Sequence, residues 1–389
     1  MTYFIRNLVV CVFSAIGLAA CSDATTKSSS FDKASMDALL SGAVDDGTVI
    51  GVSALVYDEG ETVYKGTFGL RDRERSQPVE LDTVWRIYSM TKPVTSALIM
   101  DLQEDGLLSL SDPVTKYIPE LGAMQVASLD ENGQPVFAPQ NPAMTIEDLL
   151  LHRAGMGYGI FGDISPIETA YIQADLFDPT EGLDVKMQKL SQLPLIAQPG
   201  TGWYYSYSID VLGRIAEIVT DQRLGDLMAE RFFEPLGMTD TGFYVRPDMQ
   251  ARFASNYALL PDGSFALQDD GQASPYLIDA AYQSGGGGLV STLGDYARFA
   301  QMLLDGGVYQ GMRVLESETV DMMMTNQMDA DDVFMMPWLG DVSNTGFGYG
   351  GRVVTNDRFM DWREDYPAIR RKGFLVKGQV SGENVALRF

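Results

Sequence analysis

Apolar and polar residues follow two clear periods along this chain. Between Ile50 and Glu74, IGVSALVYDEGETVYKGTFGLRDRE alternates with period two and reads as two strands joined by the turn DEGE. From Thr95 onward, SALIMDLQEDGLLSL is apolar at helical spacing, and Gly106 ends the run. Pro93 has no backbone N–H to donate, so it belongs in a first turn, which puts the start of this helix near Ser89. A third run, IEDLLLHRAGMGYG, is helical as far as Gly155, and a fourth, DVLGRIAEIV from Asp210 to Val219, has the same spacing. Further on, LVST reads as a short strand, with Thr292 as N-cap of the helix LGDYARFAQMLL. The glycines Gly285 to Gly288 just before it allow close backbone packing, which reads as scaffold.

Length and composition narrow the picture. The 389 residues suffice for one large domain or two smaller ones, and 46% apolar with 21% charged residues suits a globule. No repeat at solenoid spacing is present. The net charge of −25 favours solubility and argues against a nucleic-acid partner, whose phosphates it would repel.

Residues 1–20 stand apart from the globule. MTYFIRNLVVCVFSAIGLAAC carries one early cation, Arg6, then an apolar run, then small residues ending at Cys21, which is a secretory signal pattern. LAAC resembles the lipobox of bacterial lipoproteins, in which the cysteine becomes the lipid-bearing N-terminus. That resemblance implies membrane attachment through Cys21. With Ser22 following, it implies the periplasmic face of the outer membrane. The plainer alternatives are a signal peptide cut near Ala20, leaving a periplasmic or secreted protein, or an N-terminal membrane anchor. Residues 21–30 are polar and aperiodic and read as a tether. Cys11 and Cys21 both lie in this leader, so the remaining chain forms no internal disulfide. With a single histidine, His152, and no cysteine cluster, neither a metal site nor a cofactor is expected.

The candidate chemistry centres on WRIYSMTKPVTS. At a helix start, Ser89 and Lys92 are three residues apart and share one face, at the positive end of the helix dipole. A serine hydroxyl is a weak nucleophile until its proton is removed, and a desolvated or crowded lysine can remove it. Backbone amides at the helix start can hold a developing oxyanion. Taken alone, S-x-x-K also describes a helix cap followed by a solvated lysine. A Ser-His-Asp site would have to use His152, and no G-x-S-x-G elbow is present. His152 reads as a structural residue that closes a helix and packs nearby.

VWRIYSMTKPVTS resembles the nucleophile motif of the serine β-lactamase and penicillin-binding-protein superfamily. The hairpin upstream, LSLSDPVTKYIPEL and MTIEDLLLHRAGM downstream, and YQSGGGGLVSTLGDYARFAQMLLDGG later are similar to that superfamily's segments. In AQPGTGWYYSYSIDVLGRIAEIV the resemblance makes Tyr205 the family's tyrosine, acting as general base toward Ser89 and later as acid. The plainer alternative is an aromatic cluster of Trp203, Tyr204, Tyr205 and Tyr207 that only packs. The family's β-lactamases often carry an asparagine where Tyr207 stands. The YS…DVLG version resembles the family VIII carboxylesterases, with Tyr207 at the substrate.

The resemblance implies an α+β, β-lactamase/transpeptidase-like fold over residues 31–351. An antiparallel sheet from the N-terminal hairpin and C-terminal strands would be flanked by helices. An all-helical region would be inserted from about Asp112 to Gly285. It implies a cell-envelope serine hydrolase working through a Ser89 acyl-enzyme on a small-molecule ester or lactam. The alternatives are a β-lactamase or D-amino-acid peptidase, or an envelope binding protein that has lost turnover. The methionine-rich stretch from Val320 to Asp341 reads equally as a lid over an acyl pocket or as ordinary core. After TGFGYGGRVV the resemblance ends. Residues 352–389 are locally basic and lack the expected third element, a Lys, His or Trp followed by a small residue and glycine. Either this member has diverged or the reading frame is disrupted, and disruption is the favoured reading, with Lys372 and Lys377 as the remaining candidates for that element and low activity as the expected consequence.

Overall fold

The computed structural model of the protein describes residues 31–58, 61–160, 166–329, 334–335, 345–354 and 374–378. These fall into two compact units.

One unit holds residues 31–83, 253–271 and the strand Phe374–Gly378. The expected hairpin forms, with Gly51–Asp58 antiparallel to Glu61–Asp72 and Val52, Ala54 and Val56 opposite Phe68, Gly66 and Tyr64. Phe374–Gly378 pairs antiparallel with the other side of Gly51–Asp58, and Gln77–Pro78 extends the opposite edge. A helix, Lys33–Asp45, starts at Asp32, whose carboxylate accepts the Ser35 N–H at 3.0 Å. It lays Met36 and Leu40 on Val52, Ala54, Val56 and Tyr64 to make this unit's core.

The second unit contains residues 84–252 and 272–356. Its short strand Val84–Arg86 pairs antiparallel with Val290–Thr292. The helix Thr91–Glu104 runs through its interior. Val94, Ala97, Leu98, Ile99, Met100 and Leu102 are all buried, as expected for a helix apolar on every side. Ile146–Leu150 begins with a capping box between Thr145 and Asp148. Ser208–Thr220 and Leu293–Leu304 occupy the other helical runs of the sequence. Gly350 (φ +98°) turns the hairpin Thr345–Gly348/Gly351–Val354 hard against the interior helix, where an added Cβ would lie 2.5 Å from the Ser96 Cβ.

The stretch from Asp112 to Gly285 is not all helical. Two hairpins interrupt it, Gln125–Leu129 with Pro135–Pro139 and Asn256–Leu259 with Phe265–Asp269. The second of these lies in the hairpin unit, so the helical stretch is divided between units. Both hairpins are short and half-exposed, and their period-two signal is too brief to stand out between longer helical runs.

Thr292 caps Leu293–Leu304 as expected, its hydroxyl accepting the Asp295 N–H at 3.2 Å. Replacing Thr292 by alanine should lower stability by about 1 kcal/mol, while serine should retain most of it. Urea denaturation of the three proteins measures this, and an alanine variant as stable as wild type would remove the cap from the account.

Candidate active site

The approach to Ser89 is held from both sides. Ile87 donates its N–H to the Leu289 carbonyl at 2.9 Å, and Thr91 Oγ1 accepts the Leu289 N–H at 3.2 Å. Between them Tyr88 has φ +42°, a left-handed conformation that a bulky side chain adopts only under constraint, at about 1–3 kcal/mol. A single 3₁₀ turn, Tyr88–Met90, follows, and the α-helix begins at Thr91. Ser89 therefore sits just ahead of the helix, close to where the sequence put it.

Lys92 is 4% exposed, and its ammonium meets acceptors on three sides. Nζ donates to Gly286 O at 2.7 Å and to Tyr158 Oη at 3.0 Å, and it lies 3.4 Å from Ser89 Oγ. It also stands 4.5 Å from the Tyr205 ring centre and 5.0 Å from that of Tyr158. Burial alone would strip its proton. The oxygens of Tyr158 and Tyr205, through charge and hydrogen bonding, outweigh burial and drive the Lys92 pKa upward.

Tyr205 follows the short strand Trp203–Tyr204, which Tyr204 N ties to His152 O at 2.8 Å. Its ring packs among His152 (4.8 Å), Tyr158 (5.5 Å) and Trp203 (5.8 Å). The packing alternative for this cluster and the chemical one therefore coexist. Trp203 builds the wall, and Tyr205 meets the lysine. Tyr158 was not singled out in the sequence. It comes from the loop after Ile146–Leu150, more than sixty residues from Lys92, and nothing local marks it. Burial pushes its phenol up to about 12, with Lys92 pulling the other way.

His152 has the structural role expected of it. In a left-handed turn (φ +54°), its Nδ1 accepts the Ser206 N–H at 3.2 Å, which leaves the proton on Nε2. Nε2 is buried without a hydrogen-bond partner, in a ring packed by Trp203, Tyr205 and Phe347. Burial, with the Lys92 charge, holds its pKa well below the ordinary histidine range.

Tyr207 does not face a substrate. It is the N-cap of Ser208–Thr220 and is fully buried. Its hydroxyl bonds Leu176 O at 3.1 Å and Tyr282 Oη at 2.6 Å. Two residues beyond Tyr205, the chain has already turned into the helix, and the side chain points into the core. Lys377 is placed by its backbone alone, opposite Ser53 in the hairpin unit. Lys372 and Cys21 lie outside the described residues. Among the described residues no group of three His, Cys, Asp or Glu side chains could hold a metal ion, and no helix is long and apolar enough to cross a membrane.

A hydroxyl at a helix start, a buried cation against it and two phenols on that cation can move a proton off serine and hold charge on oxygen. Comparison with known proteins points the same way. Residues 36–358 match the Beta-lactamase family. Protein Rv1367c of Mycobacterium tuberculosis is 40% identical over 308 residues, 79% of this chain and 75% of that one. Esterase EstB of Burkholderia gladioli is 32% identical over 282 residues, 68% of each. The solved structure of EstCE1, a hydrolase with promiscuous acyltransferase activity, superposes with a TM-score of 0.70 at 26% identity, covering 84% of this chain and 83% of that one.

His152 is the only histidine in the sequence, which makes its titration separable. Its folded pKa lies below the unfolded value near 6.5, so the unfolded chain takes up a proton first as pH falls. Stability should be complete above about pH 6.5 and fall below it, by up to about 1.4 kcal/mol per pH unit from this group. Urea denaturation between pH 5 and 8 should show this slope in wild type and a shallower one in His152→Asn. Equal slopes would mean the imidazole is not held neutral.

Proposed function

The chain belongs to the beta-lactamase family, and within it we propose a carboxylesterase that works through an acyl-enzyme on Ser89. It is an esterase-type serine hydrolase, as its relatives are. The observation that carries the finer reading is the grip on Lys92, whose Nζ lies within reach of Ser89 Oγ, Tyr158 Oη and Gly286 O together. As Ser89 Oγ attacks the ester carbonyl, Tyr205, acting as a phenolate beside the Lys92 cation, takes the hydroxyl proton and becomes a neutral phenol, while the negative charge passes to the carbonyl oxygen. Tyr158 stays protonated and keeps Lys92 in place. The Ser89 N–H donates to the oxyanion. Tyr205 returns its proton to the departing alcohol, and a water molecule repeats the sequence in reverse to release the acid.

Ester is favoured over lactam because the Tyr207 position offers no amide and its phenol is turned into the core. A half-exposed Phe177 packs 6.0 Å from Tyr158, which supports an apolar acyl or alcohol group beside the lysine. We further propose that the protein is a lipoprotein of the outer membrane, acylated at Cys21 and facing the periplasm. Replacing Cys21 by serine should release it from the membrane fraction, and retention there would contradict the anchor.

Short-chain p-nitrophenyl esters should be hydrolysed with a higher kcat/KM than nitrocefin. Ser89→Ala should lower ester kcat by at least about 10³-fold, and Tyr205→Phe by about 10²–10⁴-fold. A clear preference for nitrocefin would return the chemistry to lactams, and an active Ser89→Ala would move the nucleophile elsewhere.

A further inference from the structure

Asp210 is fully buried in the first turn of Ser208–Thr220, between the buried apolar residues Ile209 and Val211. An unpaired carboxylate there would be costly. Its Oδ1 accepts from Ser284 Oγ at 2.6 Å and from Tyr282 Oη at 2.9 Å. Tyr282 is in turn bonded to Tyr207, and Tyr207 to Leu176 O. The other oxygen, Oδ2, lies over Gly286, where an added Cβ would approach within 2.4 Å, with Tyr158 Oη at 3.4 Å from the same point.

Gly286 is also the residue whose carbonyl takes the Lys92 proton at 2.7 Å. Acid and lysine therefore both bear on one glycine. The preceding carbonyl, Gly285 O, accepts from Thr95 Oγ1 at 2.7 Å and fastens the same loop to the lysine's own helix. Among the described residues no carboxylate pairs directly with Lys92. Burial pushes the Asp210 pKa up, and the Ser284 hydrogen bond and the nearby Lys92 charge pull against it.

We propose that Asp210 is a positioning residue for the Ser89 chemistry: its carboxylate clamps the loop 282–288 so that Gly286 O meets Lys92, and it supplies the counter-charge of the ammonium. This rests on the reading of Ser89, Lys92 and Tyr205 given above. A neutral hydrogen-bonding side chain would serve the clamp alone. The counter-charge is what a carboxylate adds, and the clamp brings it within one residue of the lysine. A direct contact would occupy one of the three ammonium donors that serve Ser89, Tyr158 and Gly286.

The groups facing Asp210 are Lys92 from the interior helix, Tyr158 from its loop, Tyr207 beside it, and Tyr282 and Ser284 from the glycine loop. Lys186, paired with Glu181 at 2.8 Å, lies beyond the Tyr282 ring. Removing a negative charge from this set lowers the pKa of each acid around it.

The test is Asp210→Asn, which keeps shape and removes charge, with p-nitrophenyl butyrate as substrate. We expect kcat to fall about tenfold or more with KM within twofold, and both limbs of the pH profile of kcat/KM to move to lower pH by about one unit. A folded variant with an unmoved profile overturns the counter-charge. Should Asp210→Asn fail to fold, Ser284→Ala decides the clamp, because it withdraws one hydroxyl and leaves every charge. A several-fold loss of kcat with both limbs in place supports the clamp, and wild-type kcat overturns it. Fluorophosphonate labelling separates this from the underlying reading. Wild type and Asp210→Asn should each take one label at Ser89, and an unlabelled wild type would sink the nucleophile itself.

Discussion

A lysine ammonium buried to 4% exposure is the constraint from which the site follows. A charge this buried needs acceptors for its three protons within the protein. Ser89, Tyr158 and Gly286 provide them, and each comes from a different stretch of chain. The strained Tyr88 brings the serine round to the lysine. The glycine loop brings a bare carbonyl closer than a residue with a Cβ could come, since Asp210 occupies the space behind Gly286. The rings of Trp203, Tyr205 and Phe347 pack around His152 beside this cluster.

Two effects compete at the lysine. Burial disfavours its charge, and the surrounding oxygens favour it, and the second wins. In the mechanism proposed above, the lysine acts as an electrostatic stabiliser and the proton of Ser89 goes to Tyr205. Burial pushes the Tyr158 phenol up to about 12, with Lys92 pulling the other way.

Legibility in the sequence followed the distance over which each feature is encoded. The hairpin, the interior helix and the Thr292 cap are local patterns and were readable as such. That Ser89, Lys92 and Tyr205 come together was legible through a family resemblance, and for the first two also through a three-residue spacing. Tyr158 and Asp210 were not, since their meaning lies in contacts with Lys92 and Gly286 across 66 and 76 residues (158 − 92 and 286 − 210). Tyr207 was misread because neighbourhood in the chain does not tell which way a side chain turns at a helix N-cap. The hairpins between Asp112 and Gly285 were hidden by their brevity. The third element expected near Lys372 or Lys377 falls on residues of which only a backbone strand is described.

Trapping the covalent intermediate reaches the central claim most directly. Wild-type protein mixed with an excess of a slowly deacylating p-nitrophenyl ester, quenched in acid within seconds and digested, should carry one acyl group. Peptide mass spectrometry should find it on the segment Ile87–Lys92, at Ser89. An acyl group on any other residue, or turnover of the ester with no acylated peptide at any quench time, would contradict the account.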